Sequence, residues 1–435
     1  MHVVIMIGSM GAAGAWRRPG NWIDQFSFDN YAQLGRLAER GKVDAVFVAD
    51  TVELTPSQVS SGGPIGKPEP LTLLSAVSAV TQYLGLIGTA STTFTEPYNL
   101  ARQFASLDHL SKGRAGWNIV TSVGGGRNFG PERLTDHENR YVRAEEHVQI
   151  VKALWDSWRD DAIVADRDAG IYAKVEAIRP IRFRGEHFEV EGPLNLPRSP
   201  QGRPVLVQAG ASETGREFAA THAEVIFISN QNLEFLQSFY ADMKRRVGER
   251  GRDPNRAKIL VGVSPIIAST QAEAVALRDE LADLVNYTDA IPGLEVTLGG
   301  ISLSGLSLDS HIPPELLPIE SFGGMGQGQY GNYRKLALEE KLTIRQLLRV
   351  RATSRAGHWS PVGTPEQIAD QLEARVKARA CDGFVFNPPY MPQGFELLID
   401  GVLPILRRRG LFRSEYDGPT LRDHFGLSRP SALGA

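Results

Sequence analysis

Eight short apolar runs, rich in β-branched and aromatic residues, alternate along the chain with longer segments of helical periodicity. This alternation predicts parallel strands joined by helices, and eight such strands are enough to close a barrel. Several runs are apolar almost throughout, which is typical of strands buried on both faces. The predicted strands cover residues 2–8, 43–50, 84–91, 113–122, 204–210, 224–229, 258–268 and 382–387. We therefore predict an α/β protein, a TIM (β/α)8 barrel with insertions.

Residues 136–158 form the strongest predicted helix, because large apolar residues recur there at intervals of three and four. Its first turn places His137 and Tyr141 four residues apart, on one face of the helix. Either both side chains point into a site at the helix start, or His137 is solvated and Tyr141 packs on the barrel. The spacing alone favours neither alternative.

Two stretches interrupt the alternation. Residues 159–203 contain an alternating pattern that predicts a hairpin. Residues 286–360 are rich in Gly, Pro and Ser, and their length predicts a lid rather than a simple connection. A GxGxxG pattern at 326–331 follows no buried strand, which favours a flexible lid over a nicotinamide site. We predict a single barrel domain over 1–435, with these insertions and a C-terminal extension from about 406.

Composition argues against several classes of partner. The formal net charge of −3 gives no electrostatic reason to expect nucleic acid or an anionic membrane. Cys381 is the only cysteine, and neither HExxH nor CxxC occurs, so we predict no disulfide within the chain and no metal site. No apolar stretch approaches the ~18 residues of a spanning helix, and the N-terminus is typical of a buried strand rather than a signal peptide. We predict a cytoplasmic protein.

Polar residues follow the ends of the predicted strands, where an α/β barrel carries its active site. They are Asp50, Thr89, Ser91, Thr121, Ser122 and Ser212. Ser212 and Glu213 also begin a predicted helix, whose backbone N–H groups can bind a phosphate. Any one of the six can instead be a helix cap or turn former. Six together favour a pocket with a polar lining.

Longer motifs run nearly from end to end of the chain. They include AWRRPG (15–20), LAERGKVDAVFVAD (37–50), STTFTEPYNLARQFASLDHLSKGRAGWNIVTS (91–122), HENRYVRAEEHVQIVKALWDSW (137–158), PVLVQAGASETGREFAA (204–220) and LRRRGLFRSEYDGPTLRDHFGL (406–427). Through them the chain resembles the bacterial-luciferase-like flavin monooxygenases, in the branch that holds nitrilotriacetate and dibenzothiophene-sulfone monooxygenases. The resemblance implies a TIM-type barrel that binds reduced FMN at the C-terminal ends of its strands.

The resemblance also implies roles for individual residues. The implied cofactor-binding residues are Asp50, Thr89, Ser122, His137, Tyr141, Ser212 and Glu213. Ser212 with Glu213 matches the turn expected to hold the FMN phosphate, while Thr89 and Ser91 remain alternatives in the flavin pocket. His137 and Tyr141 match the His-x-x-x-Tyr pair of the family and are the implied catalytic residues, as donors of hydrogen bonds or of a proton.

The function implied by the resemblance is an FMN-dependent monooxygenase that oxygenates a small organic substrate with O₂. A separate NAD(P)H:flavin reductase would supply the reduced FMN, and the family implies a homodimer or homotetramer. Two alternatives remain: a deazaflavin-dependent oxidoreductase of the same superfamily and a non-catalytic flavin-binding barrel. The branch-specific tail at 406–427 argues against the first, and the polar rim with His137 and Tyr141 argues against the second.

Overall fold

A closed barrel of eight parallel strands forms the centre of the protein. The computed structural model describes residues 1–8, 11–55, 58–59, 63–122, 124–130, 137–318, 327–353 and 357–432. In chain order the barrel strands are β1 (His2–Ile7), β2 (Ala45–Val48), β3 (Gly85–Ser91), β4 (Ala115–Val120), β5 (Val205–Gln208), β6 (Val225–Ile228), β7 (Lys258–Val263) and β8 (Gly383–Phe386). Each strand pairs with its neighbours in sequence, and β8 pairs with β1 to close the ring. The predicted TIM barrel is confirmed.

Helices follow the strands and surround the barrel. They are α1 (Phe28–Arg40), α2 (Pro70–Ser78), α3 (Pro97–Leu110), α4 (Gly126–Phe129), α5 (His137–Trp155), α6 (Glu213–His222), α7 (Leu233–Glu249), α8 (Gln271–Asp283), α9 (Tyr287–Thr297), α10 (Gln327–Leu338), α11 (Ile344–Thr353), α12 (Pro365–Lys377), α13 (Gln393–Leu397), α14 (Leu403–Arg408) and α15 (Leu421–Phe425). The predicted helix at 136–158 is α5, which ends three residues early, at Trp155. None of the described helices is both long enough and apolar enough to cross a membrane.

Short strands outside the barrel belong to the predicted interruptions. Within 159–203 there are two hairpins, one joining Ile163–Asp166 to Ile171–Ala173 and one joining Phe183–Arg184 to Glu189–Val190. The predicted strand at 258–268 is in fact two strands. Only β7 belongs to the barrel, whereas Ile266–Ile267 pairs in parallel with Val362–Gly363.

The two faces of each barrel strand have separate apolar environments. The lumen holds a cluster that includes Val4, Ala45, Phe47, Ile87 and Leu260. The residues that alternate with these pack outward against the helices in the larger core cluster. Because side chains of a strand alternate between faces, the paired register of neighbouring strands decides which residues line the lumen.

The C-terminal extension closes the amino-terminal end of the barrel. Leu421 and Phe425 of α15 belong to the lumen cluster, and Leu421 fills the space left by Gly85 and Gly116, which have no side chains. The buried carboxylate of Asp44 fixes the extension, because it accepts a hydrogen bond of 2.7 Å from Arg413 Nη2. With this end filled, the described residues leave the carboxyl ends of the strands as the rim that can present a site.

The insertion at 286–360 folds around a core of its own. Helices α9, α10 and α11 contribute buried apolar residues to that core, and Ala13 from the loop after β1 packs against it. Arg17 Nη1 of the same loop donates a hydrogen bond of 2.6 Å to the Leu284 carbonyl. These contacts place the insertion at the carboxyl rim. Gly328 and Gly331 of the GxGxxG pattern lie in α10, so this part of the pattern is helical, while Gly326 lies outside the described residues.

We expect Leu421→Ala to lower the free energy of unfolding by about 2–5 kcal/mol, because it removes a fully buried side chain from the lumen. Urea-induced unfolding measures the change. Leu110→Ala is the matched control, because Leu110 is 72% exposed, and it should change the free energy by less than about 0.5 kcal/mol. Equal effects of the two substitutions would contradict a packing role for the extension.

Candidate active site

A hydrogen-bonded pair of side chains lies in the lumen near the carboxyl ends of β3 and β4. Thr89 and Asn118 face each other in the strand register, and Asn118 Nδ2 donates to Thr89 Oγ1 over 2.9 Å. Both residues are buried, and Asn118 Oδ1 has no hydrogen-bond partner among the described residues. A buried acceptor without a partner costs free energy, which a ligand that donates a hydrogen bond can recover.

Ser91 and Ser122 form the next polar pair toward the solvent. Their hydroxyl oxygens are 2.8 Å apart, and Ser91 Oγ also accepts a hydrogen bond of 3.1 Å from the Thr93 backbone N–H. The structure thus brings both sequence alternatives, Thr89 and Ser91, to the same side of the mouth. Thr89 is one layer deeper.

Asp50 follows the end of β2 and is partly buried at the mouth. Burial raises the pKa of its carboxyl group, and the nearby Lys67 ammonium lowers it by less, so the net pKa lies above the usual range. Lys67 Nζ also donates to the Ala49 carbonyl, directly before Asp50. The Asp50 carboxyl group at the mouth therefore binds its proton more tightly than a carboxyl group in water does.

The start of α6 forms a compact cradle with α5. Ser212 caps the helix, and its Oγ accepts a hydrogen bond of 3.2 Å from the Gly215 backbone N–H. A Cβ atom added to Gly215 would lie 3.0 Å from Ser212 Oγ and 3.0 Å from the Tyr141 hydroxyl. Three groups thus converge where the N–H groups and dipole of the helix favour an anion. The helix cap that the sequence allowed as the alternative role of Ser212 is present, and the role in phosphate binding stays a prediction.

The structure does not place the side chains of Glu213 and His137 in this cradle. The Glu213 carboxylate is largely exposed and is bound by Arg246 Nη1 and Nη2 at 2.6 and 3.0 Å. Its side chain therefore faces α7, and only its backbone contributes to the helix start. Helix α5 begins at His137, but the side chain of His137 lies outside the described part of the structure.

Contacts with the barrel and with α6 hold the helix that carries Tyr141. His222 Nε2 and Glu145 Oε2 are 2.7 Å apart between α6 and α5. Burial raises the pKa of Glu145, but the hydrogen bond and charge of His222 lower it by more, so its net pKa is lowered. The Tyr141 ring packs edge-on against Phe218, with centroids 5.6 Å apart. These contacts fix the Tyr141 hydroxyl over the start of α6.

His147 anchors the same helix to the barrel. Its Nε2 lies 3.1 Å from the Thr95 carbonyl, and its ring packs against Trp117, one residue before Asn118. Burial lowers the pKa of His147 to about 3, with a smaller opposing effect from the Thr95 hydrogen bond. His147 is therefore neutral at physiological pH and donates to the carbonyl through Nε2.

Sequence reasoning missed several residues of the mouth. Asn118 is a polar residue in an otherwise largely apolar part of a predicted strand, and this contrast could have identified it as a candidate site residue. Gly215 offered a weaker signal, as a glycine inside a helix. His358 offered none, because it reaches the mouth from a segment distant in sequence from β7, whose Gly262 it contacts.

A closed parallel barrel with a filled amino end, a polar carboxyl rim and a capped helix start beside that rim has the features of an α/β-barrel enzyme with its site at the mouth. The sequence profile described as luciferase-like monooxygenase matches residues 2–382. N-acetyl-S-(2-succino)cysteine monooxygenase of Bacillus subtilis (strain 168) is 44% identical, over 98% of this chain and 96% of its own.

Nitrilotriacetate monooxygenase component A of Aminobacter aminovorans is 43% identical, over 96% of this chain and 94% of its own. Among solved structures, a riboflavin lyase determined with modified FMN and riboflavin superposes with a TM-score of 0.86. It is 31% identical and covers 99% of this chain and 97% of its own. The chain belongs to the luciferase-like monooxygenase family, and it is a flavin-dependent monooxygenase.

We expect the His147→Gln variant to lose part of the pH dependence of stability. Because the pKa of His147 is lower in the folded than in the unfolded chain, its neutral form stabilises the fold fully above pH 6.5, and that stabilisation is lost as the pH falls toward 3. The wild type should lose up to about 1.4 kcal/mol per pH unit from this group. Urea unfolding between pH 7 and 5 measures the slope.

The control is His311→Gln, because His311 lies on the surface. This control should keep the wild-type slope. A His147→Gln slope equal to that of the wild type would show that His147 is not held neutral by the fold.

Proposed function

We propose that this chain uses reduced FMN and O₂ to add one oxygen atom to a small organic substrate, with a separate NAD(P)H:flavin reductase supplying the reduced FMN. The observation that carries the proposal is the convergence of Ser212, Gly215 and the Tyr141 hydroxyl at the start of α6. We assign this cradle to a phosphate, the group that distinguishes FMN from riboflavin. The relative named component A supports a second component, and the relative solved with modified FMN supports FMN.

The residues at the mouth fit the two ends of FMN. The phosphate end would be held by the backbone N–H groups of α6, the Ser212 hydroxyl and the Tyr141 hydroxyl. The ring end would lie over β3 and β4, where Asn118 Oδ1 is a buried acceptor without a partner among the described residues. A flavin ring carries an N–H donor that meets this need. Thr89 orients Asn118 by accepting from its Nδ2.

When bound, reduced FMN supplies the two electrons that activate O₂. The protein then has three tasks, which are to orient the ring, to exclude water and to place proton donors. The apolar lumen beneath the mouth, including Phe47 and Ile87, excludes water. We assign His137, at the start of α5, to hydrogen bonding toward the reacting oxygen, whereas the Tyr141 hydroxyl binds the phosphate end.

The remaining polar residues support this arrangement. Ser91 and Ser122 form a hydroxyl pair at the outer edge of the flavin side, and the partly buried Asp50 lies on the neighbouring strand end. We propose that these residues contact the ring edge, whereas Glu213 contributes through its backbone alone. We further propose that the chain is one barrel domain whose insertion at 286–360 closes over the site, and that it assembles as a homodimer or homotetramer.

Oxygen uptake that depends on reduced FMN tests the reaction class. A substrate screen with a generic flavin reductase and ¹⁸O₂ should yield a product heavier by one labelled oxygen atom. A deazaflavin oxidoreductase would transfer hydride without O₂, and a non-catalytic flavin-binding barrel would bind flavin without any turnover. Either result would overturn the proposed reaction.

We expect Tyr141→Phe to weaken binding of reduced FMN by about tenfold or more, because a hydrogen bond to a charged group contributes about 1.5–3 kcal/mol. Binding of reduced riboflavin should stay within about twofold of the wild type, because riboflavin lacks the phosphate. Anaerobic calorimetry measures both affinities. The control is Tyr98→Phe, whose hydroxyl donates to the Pro193 carbonyl away from the cradle. If the wild type binds reduced riboflavin as tightly as reduced FMN, no phosphate site exists at α6.

We expect His137→Ala to lower the amount of product formed per O₂ consumed by at least about tenfold, because a positioned proton donor contributes about 10²–10⁴-fold. The assay uses excess reduced FMN and measures product and hydrogen peroxide together. His311→Ala serves as the control for loss of a histidine on the surface. Unchanged coupling in the His137→Ala variant would remove His137 from the mechanism.

A further inference from the structure

A segment near the end of the insertion extends the barrel wall above β6. The Trp359 backbone N–H donates to the Gly262 carbonyl over 3.1 Å, and the Ser264 N–H donates to the Trp359 carbonyl over 2.7 Å. Val263 and Trp359 thus form a parallel bridge just beyond the point where β6 ends. Backbone pairing along β7 therefore continues beyond the barrel, where the extended segment around Trp359 takes the place of a neighbouring strand.

Alternation along β7 decides which residues face the lumen. Leu260 belongs to the lumen cluster, whereas Val261 and Val263 belong to the outer core. Gly262 and Ser264 therefore face the lumen, because the hydrogen-bonded ladder continues through Ser264. The mouth on this side is lined by a small residue and a hydroxyl rather than by large aliphatic side chains.

His358 occupies the space that Gly262 leaves open. A Cβ atom added to Gly262 would lie 2.7 Å from His358 Cδ2 and 2.9 Å from Nε2, so the ring lies on the lumen side. Trp359, the next residue, faces the opposite way, and the Arg375 guanidinium of α12 stacks on it 3.6 Å from the ring centroid. The His358 ring also meets the Phe227 ring edge-on, with centroids 5.7 Å apart. We call Phe227, Gly262, Ser264 and His358 the β6–β7 wall.

The β6–β7 wall contains a buried hydroxyl group that makes no hydrogen bond with the described residues. Ser264 is fully buried, and its Oγ has no hydrogen-bond partner within the described ranges. In the order of strands around the ring, β7 lies directly across from β3, which carries Thr89. The wall therefore faces the side of the mouth that we assign to the flavin ring, across the space in which a substrate must react.

We propose that the β6–β7 wall is the substrate side of the site, and that His358 and Ser264 together bind a carboxylate of the substrate while Phe227 packs against its apolar part. The proposal rests on the proposed function, because the flavin must take the facing wall. An imidazole N–H and a hydroxyl on one face match the two oxygens of a carboxylate. Hydrogen bonds to a charged acceptor such as a carboxylate are stronger than those to a neutral acceptor. Neither His358 nor Ser264 carries a negative charge that would repel a carboxylate.

Calorimetry on the anaerobic complex with reduced FMN tests the proposal. The probes are succinate, glutarate and benzoate, each titrated beside its methyl ester. We expect the wild type to bind at least one acid about tenfold more tightly than its ester, as a hydrogen-bonded charge requires. His358→Phe and Ser264→Ala should each reduce that preference to within about twofold, and His358→Gln, which keeps a donor, should retain part of it.

Two controls separate this role from a structural one. Binding of reduced FMN should be unchanged in all three variants, because the wall lies across from the flavin side. His187→Phe, which alters a histidine beside the outer hairpin, should keep the preference for the acid.

The proposal is overturned if no acid binds the wild-type complex better than its ester, or if His358→Phe keeps the preference. Failure of the wild type to bind reduced FMN is a different result, because it removes the proposed function. Repeating the titrations without flavin then shows whether the wall alone distinguishes acid from ester.

Discussion

Closure of the parallel ladder is the constraint on which the rest of the structure depends. Once β8 pairs with β1, all eight strands present their carboxyl ends at one rim, and alternate side chains must fill one lumen. Leu421 and Phe425 fill the lumen at the amino end, where the buried Asp44 is paired with Arg413, so a ligand site is left to the opposite end. The buried Thr89–Asn118 pair lies near this rim, where Asn118 Oδ1 is left without a partner among the described residues, which is the acceptor that we assign to the proposed ligand.

The cofactor side depends on how two neighbouring helices are held together. The start of α6 alone would be an ordinary capped helix, since Ser212 already satisfies the Gly215 N–H. The Tyr141 hydroxyl turns it into a cradle, and it does so only because α5 is fixed by Glu145 against His222 and by His147 against the barrel. The position of the Tyr141 hydroxyl thus depends on contacts spread over about two turns of one helix.

The fold could be predicted from sequence because each strand–helix unit is local, and apolar runs with capped helices show in the residue order. The polar rim could be predicted for the same reason, since Thr89 lies near the end of a strand and Ser122 and Ser212 come shortly after strands. Its assignment to the flavin remains a prediction. Sequence places Glu213 at the helix start but cannot show that Arg246 binds its carboxylate, so its role in cofactor binding stays a prediction. His358 was invisible, because only a backbone ladder between segments distant in sequence brings it to Gly262.

This difference between the two sides has a consequence for how such an enzyme can vary. The side that we assign to the flavin is built from strand ends and the short turns after them, whose geometry the barrel itself imposes. The facing wall receives His358 from a segment that follows a long insertion, attached to β7 by two hydrogen bonds beyond the end of β6. That segment shares no hydrogen bond with the β8–β1 closure or with the start of α6 among the described contacts. If the two sides are assigned as we propose, the substrate side can vary while the cofactor side is kept, because different contacts stabilise the two.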